Sequence, residues 1–101
     1  MKLPNSFNIK GVDYPIKFKW NLRNENGEAC DGYVDRDKKI IFIDHSVKKT
    51  DRKRVFVHEL LHCLMLEINI SGNILTHETE EFLISNIEDF LFSKFNITLK
   101  K

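Results

Sequence analysis

From Asp51 to Glu67 the chain contains neither glycine nor proline, and Val55, Val57, Leu60, Leu61, Leu64 and Met65 fall on almost every side of a helix drawn through it. A helix that is apolar nearly all round is a buried helix. Its polar exceptions are His58, Glu59 and His62, which read together as His58-Glu59-Leu60-Leu61-His62, an H-E-x-x-H sequence. The rest of the chain must therefore fold so as to cover this segment while leaving its histidines something to bind.

With 101 residues there is material for one modest core, so residues 1–101 are expected to form a single domain. The pattern divides near residue 50. Before it, strand signals dominate: Ser6 to Lys10, a turn at Gly11-Val12-Asp13, and Tyr14 to Trp20 with Ile16, Phe18 and Trp20 at alternate positions read as a hairpin. A polar connection follows with a turn signal at Asn26-Gly27. Then Gly32 to Asp35 and Lys39 to Asp44 read as two short strands joined by Arg36-Asp37-Lys38. The run Ile40-Ile41-Phe42-Ile43 suits a strand covered on both faces, in the interior of the sheet. After residue 50 the period is helical. Ser71-Gly72-Asn73 interrupts it, and a second helix is predicted from near Thr76 to about Phe95, with Leu83, Ile84, Ile87 and Leu91 as its stripe. The expected fold is α+β: a small three- or four-stranded, mostly antiparallel sheet packed on two helices, with residues 1–50 mainly β and 51–101 mainly α.

The spacing of the histidines has a mechanical meaning. Residues four apart on a helix lie one above the other, so two imidazoles can reach one ion at about 2.0–2.1 Å. Glu59 is displaced from His58 by about 100° around the helix, which sets its carboxylate beside the ion's open position, where it can act as a general base. A catalytic zinc site normally takes three protein ligands. The metzincin continuation would place glycine and histidine where this chain has Met65 and Ile68, which excludes that class. The second helix offers Glu78, Glu80 and Glu81 instead. Glu80 extends the stripe of Leu83, Ile84, Ile87 and Leu91 and is the preferred third ligand; Glu81, on the face of Ser85 and Glu88, is the alternative. His77, one turn before Glu80, is a candidate auxiliary ligand or oxyanion donor, and His45 is expected in a loop.

The chain resembles the small single-domain zincin-type metallopeptidases of the ImmA/IrrE-like group, above all the short versions encoded by phages and prophages. The resemblance rests on the N-terminal hairpin, Gly32-Tyr33-Val34-Asp35 followed by Lys39-Ile40-Ile41-Phe42-Ile43, the run Arg54 to His62, and Glu80-Glu81-Phe82-Leu83. It implies one Zn2+ held by His58, His62 and Glu80, with Glu59 activating water to hydrolyse a peptide bond. In zincins the substrate is laid against a sheet edge beside the metal, and Gly32, Tyr33 and Val34 are the candidates for that edge. The residue after the second histidine is usually small in the family; here it is Cys63. A non-catalytic, zinc-stabilised binding module of phage origin is the alternative.

Composition sets the other expectations. Sixteen lysines and arginines against 15 acidic residues give a formal charge of +1, no field to draw in nucleic acid. The basic residues Lys48, Lys49, Arg52, Lys53 and Arg54 are read as a solvated helix start. No segment has the roughly 18 apolar residues of a membrane span, and Pro4, Asn5 and Ser6 interrupt any signal-peptide core, so a cytoplasmic monomer in a bacterial host, acting on a protein or peptide, is expected. Cys30 and Cys63 are expected as thiols, with Cys63 in packing.

Overall fold

The computed structural model describes residues 3–94. It is an α+β domain of six elements in chain order: β1 (Ser6–Ile9), β2 (Val12–Lys19), β3 (Gly32–Asp35), β4 (Ile40–Asp44), α1 (Lys49–Glu67) and α2 (His77–Lys94). The predicted end of the second helix near Phe95 lies outside the described residues.

The four strands form one mixed sheet in the order β1-β2-β4-β3. β1 and β2 pair antiparallel, β2 and β4 parallel, and β3 and β4 antiparallel. The first hairpin turns through Lys10 and Gly11, both at positive φ, with the Asn8 side chain accepting the Gly11 N–H at 3.0 Å. The second is set by Asp35, whose carboxylate accepts the N–H groups of Asp37 (3.1 Å) and Lys38 (2.9 Å). The polar connection between β2 and β3 is itself built: the Asn24 side chain accepts from Asn26 and Glu28, and the Leu22 N–H is held by the buried Asp44 carboxylate at 2.8 Å.

β4 lies inside the sheet, as its apolar run predicts, but its two faces differ. Ile41 and Ile43 are fully buried under α1, whereas Ile40 and Phe42 are only partly covered. The Phe42 ring stacks on Tyr33 with Lys19 Nζ 5.0 Å from its centroid, so the second face is capped by side chains rather than by another layer.

α1 packs on one face of the sheet, and Ile9, Tyr14, Val34, Ile41, Ile43, Phe56 and Cys63 form the core between them. Each large side chain buried there contributes about 1.5–3 kcal/mol. α2 lies on the other side of α1 and packs against α1 rather than the sheet. The layers are thus sheet, α1, α2. This explains why α1 is apolar on nearly every side: the sheet takes Phe56 and Cys63, and the α2 side receives His58 and His62.

Gly32 fixes how closely α1 can approach. A Cβ there would stand 2.8 Å from Val55 Cγ1 and 2.9 Å from both Glu59 Cγ and Glu59 Oε2. Only a residue without a side chain lets β3 and the centre of α1 meet at this distance.

Candidate metal centre

His58 and His62 lie one turn apart on α1, with ring centroids 5.1 Å apart. Each has its Nδ1 engaged by a carboxylate of α2. Glu88 Oε1 is 2.6 Å from His58 Nδ1, and Glu80 Oε2 is hydrogen-bonded to His62 Nδ1. An ionised carboxylate can only accept, so both imidazoles carry hydrogen on Nδ1, which makes Nε2 the ring atom that could bind a metal. Glu81 stands in front of both Nε2 atoms: one oxygen is 3.4 Å from His58 Nε2 and the other contacts His62 Nε2.

Ligand atoms from His58, His62 and Glu81 all lie within 4.8 Å of one another. Two donors at zinc's usual distance and tetrahedral angle are about 3.3 Å apart, close to the His58–Glu81 separation. Two neutral imidazoles and one carboxylate are a suitable donor set for zinc, so the residues fit the ion.

The carboxylate grouped with both histidines is thus Glu81, the alternative weighed from sequence, and Glu80 stands apart from that group. Glu80 does occupy the buried stripe, with only 1% exposure, together with the fully buried Ile84 and with Glu88. Burial, however, puts it behind His62, on the side away from the open face. Its pKa is held below the ordinary carboxylate value: burial works against this, but hydrogen bonds from Ser71 and His62 outweigh it. Glu81, about 100° round the helix, sits at the rim where an ion could also meet solvent and substrate. Glu88, assigned from sequence only to the face of Glu81 and Ser85, is a buried partner of His58. Its signal was available: Glu88 follows Glu81 by seven residues, two helical turns, and so returns to the same side.

Glu59 is 8% exposed, wedged between α1 and Gly32. Burial pushes its pKa up to about 7, with the charges of Glu81 and Glu88 adding to the rise and His58 opposing it. That is the range in which a carboxylate can both take and return a proton near neutrality. For His58, burial favours the neutral form, but Glu88 and the neighbouring carboxylates win and raise its pKa.

These groups open into a cleft of about 740 Å³, lined also by Cys30, Tyr33, Arg36, Ser71 and His77. The exposed His77 ring lies parallel to that of His62 at 6.4 Å, beside the cluster and not within it. β3 forms one wall and is an edge strand. Asp44 N donates to Asp31 O and Lys39 N to Asp35 O, both at 2.8 Å, which fixes the pairing phase. Residues 31, 33 and 35 turn their backbone groups toward β4, and Gly32 and Val34 turn theirs outward.

Of the remaining candidates, Cys63 is fully buried in the core, where burial pushes its thiol pKa up to about 12. Cys30 is half-buried at the cleft, with its pKa also raised by burial and then by Glu59. His45 lies in the turn after β4, stacked on Trp20 at 4.2 Å. The basic cluster is partly used by the fold: Arg52 donates to the carbonyls of His45 and Val47 and covers the Phe18 ring at 4.7 Å, and Arg54 pairs with Glu88 and Asp89. Among the described residues no helix is long and apolar enough to cross a membrane. Comparison with protein-family models, curated proteins and solved structures finds no match.

Proposed function

We propose that this chain is a zinc-dependent peptidase of the zincin type, in which His58, His62 and Glu81 hold the metal and Glu59 is the general base. The observation that carries the reading is the three-donor cluster with its fourth side open to the cleft. Structural zinc sites close the fourth position with a protein ligand, whereas catalytic ones leave it for water and substrate. His77 and Cys30 line the cleft without joining the cluster, which favours the catalytic reading over a zinc-stabilised binding module.

A bound zinc ion supplies a Lewis acid that acidifies water and polarises a carbonyl. The residues supply the rest. Glu59, next to His58 and with a pKa near neutrality, takes a proton from water and delivers it to the departing amine. Glu80 and Glu88 fix the imidazole tautomers. The outward backbone groups of Gly32 and Val34 bind an extended substrate as an added strand, alongside Glu59. The substrate class is a protein or peptide segment that can be drawn out into an extended strand.

The test is zinc loading of wild type and Glu59→Gln, followed by incubation with a fluorescence-quenched peptide library. Wild type should bind one zinc per chain and cleave members of the library, and Glu59→Gln should bind the ion and cleave none. A wild type that binds no zinc, or a variant that cleaves equally well, refutes the proposal.

A further inference from the structure

Each carboxylate behind a histidine is itself held by an arginine from a different part of the chain. Arg36, directly after β3, donates to Ser71 Oγ at 2.5 Å and reaches Glu80 Oε2 at 3.4 Å, the same oxygen that engages His62. Arg54, one turn before His58 on α1, donates through Nε to Glu88 Oε2 and through Nη2 to Asp89, while Glu88 Oε1 engages His58. The two chains of contacts, Arg36–Glu80–His62 and Arg54–Glu88–His58, share no residue.

We infer that Arg36 and Arg54 are positioning residues that hold the two histidines in the orientation presenting Nε2 to the metal, an inference that rests on the zinc-site reading above. Glu80 and Glu88 are buried, and a buried carboxylate needs both hydrogen bonds and a compensating cation to stay where it is. Without its arginine, each carboxylate loses the cation that compensates its burial and is held less firmly at Nδ1, and the imidazole it steadies is freer to turn. Removing an outer partner of a metal-binding histidine typically costs 10- to 100-fold in metal affinity. The arginines stand one residue further out, so the lower end of that range applies. Arg36 also lines the substrate cleft and keeps 38% of its side chain exposed, so the His62 chain of contacts begins at the cleft wall.

The test uses the full chain and two metals: zinc, with affinity measured by competition against a chromophoric chelator, and Co2+, with its visible absorption as a report on ligand geometry. Arg36→Met and Arg54→Met should each weaken zinc binding about tenfold and alter the Co2+ bands. The double variant should lose about a hundredfold, because the two contact chains are separate. Arg54→Lys, which keeps the cation, should return to within about threefold of wild type. Single Met variants that bind zinc within about twofold of wild type, with unchanged Co2+ spectra, overturn the inference, whatever happens to their melting temperatures. A wild type that binds neither metal overturns the zinc-site reading instead. Arg54 is nearly half exposed, so Arg54→Met carries the test if Arg36→Met does not fold.

Discussion

In the metal-free protein, replacing Glu59 with glutamine is expected to increase stability at pH 8 and to leave it nearly unchanged at acid pH. The carboxyl is buried against Gly32 and Val55, and its pKa rises from 4.5 to about 7 on folding. The folded state therefore holds a proton that the unfolded state has released, and stability falls as pH rises between those values. At 1.36 kcal/mol per pKa unit, the full cost above pH 7 is about 3 kcal/mol, and at pH 5 less than about 1 kcal/mol has been lost. Glutamine has the same shape and does not ionise. The stability difference between variant and wild type should thus grow by about 2–3 kcal/mol from pH 5 to pH 8. Urea unfolding in the presence of a chelator, followed by circular dichroism at both pH values, measures it directly. A difference that does not change with pH would show that Glu59 is not held in a desolvated pocket, and would remove the argument for its pKa near neutrality.

Gly32→Ala forces a Cβ to within 2.8–2.9 Å of Val55 and Glu59, and overpacking of this kind should destabilise by about 1–3 kcal/mol in thermal unfolding. Glu81→Ala should abolish zinc retention through gel filtration, whereas Glu80→Ala should retain the ion with affinity about 10- to 100-fold weaker; the opposite ranking would return the third ligand to Glu80. Of the two cysteines, only Cys30 should react with a thiol reagent at pH 8 in the native protein, because Cys63 is fully buried with a pKa near 12; both should react in denaturant.

Much of this architecture is legible in the residues. Alternation and turn chemistry place all four strands, and the nearly all-round apolarity of α1 foretells a helix between layers. The parallel pairing of β2 with β4 is not legible, because it is accompanied by Asp44 gripping Leu22, a contact between residues 22 apart in sequence. At the site, helical spacing identifies His58, Glu59 and His62 and correctly places Glu80 on the buried face. It does not show that the buried carboxylate contacts His62 through Nδ1, while its neighbour Glu81 faces Nε2. The carboxylate that faces both Nε2 atoms lies beside the buried stripe, at Glu81, and the proposed zinc reading takes it as the third ligand. Arg36 carries no local signal at all, since its partners are Ser71 and Glu80.

Among the described residues none of α2 belongs to the main core cluster, and the helix packs chiefly against α1, with Ile84 as its fully buried apolar anchor. Much of what fastens it is the set of carboxylates that surround the histidines. On the proposed zinc reading, the ion would add to the docking of α2: above the dissociation constant, each tenfold rise in ion concentration would add about 1.4 kcal/mol to the docked state. Amide exchange within α2 should then report ion occupancy while the sheet stays protected, and metal supply would set the local lifetime of one helix independently of the rest of the fold.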